Sequence, residues 1–143
     1  MDETRKHAGY KVIAALMIVA TFMGTYAYSR FDDSEKHLTE RLEHFAELGK
    51  TATPMECAEA TLAWFPTCSA MLSLCQDSVG RMMRTCLAGQ DRSTLCAEVE
   101  PIRRKTSFGY ADCAVRGFER TGRKACADVY RAIDKHCEDK SKE

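Results

Sequence analysis

The chain has no excess of charge of either sign: lysine plus arginine and aspartate plus glutamate number 21 each. A nucleic-acid binder normally carries a positive surplus that displaces counterions from phosphates, so nucleic acid is not expected as a partner. The chain also lacks a glycine-rich phosphate loop, a G-x-S-x-G or H-E-x-x-H motif and any recognisable pairing of nucleophile and base. An enzymatic reading therefore has no residue to stand on, and no cofactor is expected. Sustained apolar/polar alternation is missing throughout, which argues against strands and for an all-α fold. Finally, no cysteine precedes Cys57, the first of eight: Cys57, Cys68, Cys75, Cys86, Cys96, Cys113, Cys126 and Cys137.

The cysteine-free part contains the one long apolar run. Between Lys11 and Arg30 lie 18 uncharged residues, which as a helix reach about 27 Å, close to the roughly 30 Å hydrocarbon core of a bilayer. Tyr10, Tyr26 and Tyr28 flank the run as interfacial anchors. Arg5, Lys6 and Lys11 precede it and acidic residues follow it, so residues 1–11 are expected in the cytoplasm or matrix and the rest of the chain across the membrane. The competing reading is a cleaved secretory signal over residues 1–27, with Thr25-Tyr26-Ala27 as its cleavage site; against it, the run exceeds the usual ~7–15 apolar residues. Ala20 and Gly24 form a small-xxx-small pair of the kind that lets helices approach, although both residues are common in any spanning helix.

An even set of spaced cysteines in a small domain reads as a disulfide framework, which persists in oxidising compartments. The expected plan is thus residues 12–29 as a transmembrane helix, 30–50 as an amphipathic stalk helix and 51–143 as a small disulfide-stapled helical bundle. The expected location is the bacterial inner membrane with the domain in the periplasm; a mitochondrial inner membrane facing the intermembrane space is the alternative, and a secreted protein the outcome if residues 1–27 are cleaved. Each native bridge contributes about 2–4 kcal/mol to a core of this size. Zinc sites use closely spaced C-x2-4-C pairs and thioredoxin-like centres use C-x-x-C; both are absent here, so metal binding and thiol oxidoreduction are the least supported uses.

Helix signals punctuate the exported part. Asp33 or Ser34 is expected to cap a helix ending at Leu48–Gly49, with Leu38, Leu42, Phe45 and Leu48 as an apolar face that packs on its own domain or on a partner. Thr53, Pro54 and Glu56 form a capping box that opens the next helix, which meets Pro66. A long helix is expected from Thr67 to Ala88, a third from Asp91 or Ser93 interrupted near Pro101, a fourth from Ser107 to Thr121, and a last one after Gly122 ending near Asp139.

Three cysteine intervals, Cys57 to Cys68, Cys75 to Cys86 and Cys126 to Cys137, are eleven residues long, almost a whole number of helical turns. Two antiparallel helices carrying such pairs can be joined at both levels, which suggests Cys57 with Cys86 and Cys68 with Cys75. A helix running straight through Ser69 to Leu74 would hold the second pair apart. The spacing resembles the twin CX9C and CX10C helical hairpins of the CHCH type over Cys57 to Cys86 and, more loosely, over Cys96 to Cys137. The resemblance implies stapled hairpins with structural or assembly roles in a membrane complex, and a second nested half of Cys96 with Cys137 and Cys113 with Cys126. Eight cysteines allow roughly a hundred connectivities, so spacing does not single one out.

Remaining candidates lie on surfaces. Arg103, Arg104 and Lys105, then Arg116, Arg120, Arg123 and Lys124, make a basic region; Arg116, Arg120 and Lys124 recur every four residues, as on one helical face. Such a face suits an acidic partner, anionic lipid or a polyanionic glycan. His37, Glu40 and His44 share a stalk face but offer too few ligands for zinc without a second chain, and His136 has no catalytic context. Trp64, Phe65, Met71, Leu72, Met82 and Met83 suit either an adaptable groove or, at helical spacing, a core. The functional expectation is a membrane-anchored accessory or assembly subunit that contacts membrane proteins, with an anchored or secreted binding module as the alternative.

Overall fold

A computed structural model describes residues 3–103, 105 and 107–142, and the side chains of residues 10–102, 105 and 107–142. The side chains of Arg5, Lys6 and Arg103, and the whole of Arg104, fall outside the described set. The described residues are all-α: α1 (Glu3–Gly49), α2 (Pro54–Trp64), a single 3-10 turn (Phe65–Thr67), α3 (Leu72–Leu87), α4 (Ser93–Arg103), α5 (Tyr110–Val115) and α6 (Arg120–Lys140).

The helix start expected at Asp33 or Ser34 is absent, because α1 runs unbroken for 47 residues. The Ser34 hydroxyl donates back to the Arg30 carbonyl at 2.8 Å and Thr39 to Glu35 at 3.0 Å, satisfying the hydroxyls inside the helix instead of capping a new one. The apolar run and the stalk are thus one rigid rod. Its first half is bare: Ile13, Leu16, Phe22 and Met23 are 63 to 72% exposed. From Tyr10 onward it is long and apolar enough to cross a membrane, with a mean hydropathy of 1.7 over its most apolar 18 residues. Its second half is consumed by the domain, where Leu38 and Phe45 are buried and Leu42 and Leu48 pack against the same core.

α2 begins with the reciprocal bonds of a capping box: Thr53 Oγ1 accepts from the Glu56 amide, and the Glu56 carboxylate accepts from the Thr53 amide at 2.6 Å. The bond from the Thr53 amide, and after it the Thr53 side chain, holds the Glu56 carboxyl below the usual pKa range. The next helix does not start at Thr67. Pro66 sits in the 3-10 turn, Cys68 is extended and α3 opens only at Leu72; this break brings Cys68 onto Cys75. Pro101 lies inside α4 without interrupting it, close enough to the helix end that little of the ladder depends on its missing amide. The fourth helix shrinks to α5, bounded by Gly109 and Gly117 at φ 72° and 66°, a conformation glycine adopts without a Cβ penalty. Gly122, expected as a separator, lies inside α6, where the Phe118 ring packs within 3.0–3.2 Å of its Cβ position.

α3 is the central helix. Val79, Met82, Met83, Cys86 and Leu87 are all fully buried, and each large apolar side chain removed from water contributes about 1.5–3 kcal/mol. α1 lies along it in the same direction: Leu38 and Leu42 line a small cleft with Leu74 and Ser78, and further along Gly49 meets Cys86. α6 also runs parallel to α3, with Lys124 donating to Gln76 at 3.2 Å and the Asp128 carbonyl set against Gly80. α2 returns in the opposite direction, and the Phe45 and Trp64 rings meet edge to face at 6.4 Å. Four bridges hold these elements: Cys57–Cys86 joins α2 to α3, Cys68–Cys75 joins the stretch after the 3-10 turn to the first turn of α3, and Cys96–Cys137 and Cys113–Cys126 join α4 and α5 to α6. No cysteine is left free.

Candidate interaction site

The basic residues do not share one helical face. Arg116 sits in the turn after α5 and reaches Glu59 of α2 at 4.0 Å, whereas Arg120 and Lys124 belong to the first turns of α6. Gly117 explains the difference, since its left-handed backbone ends the helical register that the four-residue spacing implied. What assembles instead is a groove of about 760 Å³ between α5, the loop before it and α6. Phe108, Tyr110, Phe118 and Tyr130 supply its aromatic wall; exposed Lys105, Arg120, Arg123, Lys124 and Arg131 supply its rim.

The wall is built locally. Gly109 lets the chain pass directly over the Tyr130 ring, where a Cβ would stand 2.1 Å from the ring carbon Cγ. Phe108 meets Tyr130 edge to face at 5.4 Å, and Cys113–Cys126 fastens α5 to α6 beside them. The Tyr130 hydroxyl donates to Asp112 at 2.8 Å. Burial, and then the bond and charge of Asp112, push the Tyr130 pKa up to about 12, so the phenol stays neutral throughout the physiological range. A groove with an aromatic wall and a cationic rim suits an anionic ligand with a flat or apolar portion, held by stacking on the rings and by charge contacts with the rim.

Other candidates resolve differently. Trp64, Met82 and Met83 are core, while Met71 and Leu72 are 43% and 60% exposed at the start of α3, so the six residues proposed together as a groove separate. His37 is half-buried and His44 exposed, and no group of three or more histidine, cysteine or carboxylate side chains among the described residues is arranged to hold a metal ion. Burial, reinforced by the charges of Lys140 and Arg92, lowers the pKa of His136.

Sequence reasoning missed Gln90 and Arg92. Arg92 is 7% exposed; its Nη2 donates to the Ala52 carbonyl at 2.8 Å and the Gly49 carbonyl at 3.3 Å, and its Nε to Leu87 at 3.4 Å. Gln90 Nε2 donates to the same Gly49 and Ala52 carbonyls. These are carbonyls orphaned where α1 and α3 end, and a cation there also meets the negative end of each helix. The available signal was a basic residue shortly after a helix-ending glycine, Gly89. No protein-family model, curated protein sequence or solved structure matches the chain.

Proposed function

We propose that this chain is a non-enzymatic, single-pass accessory or assembly subunit of a membrane protein complex, with its stapled domain in the bacterial periplasm; the intermembrane space is the alternative compartment. One observation carries the reading. α1 is a single rod whose first half is bare and apolar and whose second half is built into the domain. Only lipid or another membrane helix covers the bare half favourably, and whatever the spanning half binds is coupled rigidly to the domain. The stalk cannot serve as an additional docking face, because Leu38 and Phe45 are already buried against α3. Cysteines that are all bridged suit an oxidising compartment, and the resemblance of their spacing to CHCH hairpins favours a structural role. Purification of the intact chain in mild detergent tests the proposal: stoichiometric membrane proteins should accompany it, and a solitary monomer contradicts it.

The groove beside α6 supports a second reading, an anchored binding module for an acidic partner. Charge reversal at Arg120, Arg123 and Lys124 should then abolish association while leaving the core intact, since all three side chains are exposed. Unchanged association would remove this reading.

A further inference from the structure

The registers of three helices fix which end of the domain faces the bilayer. Gly49 is level with Cys86, and Phe31, Glu35, Leu38 and Leu42 line one cleft with Leu74, Asp77, Ser78 and Arg81, so α1 and α3 run side by side in one direction with an offset of 37 residues at Gly49. Carried back to the start of α3, that offset sets Leu72 level with Glu35, about five residues beyond Arg30, or about 7–8 Å at 1.5 Å per residue. Each headgroup layer is itself roughly 5–8 Å deep. The offset between α3 and α6, set by Gln76 with Lys124 and Gly80 with Asp128, places Arg120 at the same height as Leu72.

The residues collected at this end have interfacial chemistry. Phe31, Met71 and Leu72 are 44, 43 and 60% exposed and gather at this end, while Met55, Ile102, Tyr110 and Val115 are exposed on other elements of the domain. Arg120, on the first turn of α6, stands at their height, as does Glu119, which lines one pocket with Leu72. Apolar tips next to arginine are what an amphipathic surface presents to a bilayer boundary, the tips entering the acyl margin and the guanidinium groups remaining among phosphates. We infer that the end of the domain formed by Phe31, Met71, Leu72 and Arg120 seats on the outer face of the same bilayer that α1 enters. This rests on the anchored reading above. The occupant is lipid because α1 carries the surface there: the tip is continuous with the bare half of the rod and cannot move away from it without breaking the α1–α3 packing.

Seating would make the domain a fixed cap on the membrane, oriented about the spanning helix. The test uses the full chain in vesicles of phosphatidylcholine with a minority of phosphatidylglycerol, some lipids carrying a shallow nitroxide quencher. Leu72→Trp reports on the tip and Ala88→Trp, exposed at the far end of α3, reports on the distal end; buried Trp64 gives the same background in both. Several-fold stronger quenching of the Leu72→Trp variant supports seating. If the chain floats with the vesicles but both variants are quenched equally, the tip is lifted clear and open to a protein partner, and the seating proposal is overturned while the anchor stands. If the chain does not float, the anchored reading fails and seating fails with it.

Discussion

Arg92 donates a hydrogen bond from Nη2 to the carbonyl of Ala52, forty residues earlier in the chain, at 2.8 Å. This contact ties the turn after α3 to the turn after α1, and with Gln90 it satisfies carbonyls that both helix ends leave exposed within the fold. The attachment of the domain to α1 depends on this junction.

Replacing Arg92 by Met keeps the volume of the stem but leaves those carbonyls without their charged donor. Bonds to charged groups contribute about 1.5–3 kcal/mol, and buried acceptors without partners are costly. Chemical denaturation of Arg92→Met should show a loss of about 2–3 kcal/mol; a loss under about 0.5 kcal/mol would mean the carbonyls find water instead.

Gly49 and Gly89 cross at the same junction. A Cβ on Gly89 would lie 2.3 Å from the Gly49 carbonyl carbon, and one on Gly49 would lie 2.2 Å from the Cys86 carbonyl oxygen. The obstacles are backbone atoms, which cannot turn aside as a side chain can. Gly89→Ala should therefore destabilise the domain by about 1–3 kcal/mol or more, whereas Gly24→Ala, with nothing within 4 Å, should leave domain stability unchanged in the same denaturation measurement.

Much of this was legible in the sequence, though not the junction. The capping box at Thr53 and the apolar face of Leu38, Leu42, Phe45 and Leu48 rest on neighbours a few residues apart, and local spacing is enough to show them. The basic face failed because spacing alone does not reveal which glycine takes a positive φ: Gly117 does, so Arg116 leaves the register of Arg120, while Gly122 stays helical. The cap expected at Ser34 failed because a serine hydroxyl can bond either forward, ending a helix, or back to the preceding turn, continuing it. Arg92 was missed because its acceptors lie on another helix, and charge in a loop usually means solvent.

The bridges close loops of different length, with sequence separations of 41 residues for Cys96–Cys137, 29 for Cys57–Cys86, 13 for Cys113–Cys126 and 7 for Cys68–Cys75. Loop-entropy reasoning gives about 4 kcal/mol for the longest and about 2 kcal/mol for the shortest. Paired Cys→Ala replacements should follow that order in denaturant midpoint, with Cys96/Cys137 the most damaging. An inverted order would show that packing around the short bridge, not closure of the long loop, dominates.

His136 supplies a pH dependence whose sign is fixed. Burial first, then the nearby charges of Lys140 and Arg92, depress its folded pKa, with Asp139 opposing. The unfolded histidine therefore takes up a proton first, near its ordinary value of about 6.5, and stability falls as pH drops through that value, levelling off below the folded pKa. His136→Gln should remove this share of the acid loss. The same slope in both proteins between about pH 7 and 5 would assign the loss to other groups.

All eight cysteines of the domain are bridged, as the proposed oxidising compartment requires. Free-thiol counting on the intact chain, extracted from membranes and denatured without reductant, tests that directly. No cysteine should react before reduction and all eight after it. Several thiols reactive before reduction would contradict the stapled, oxidised domain and the side of the membrane on which it is placed.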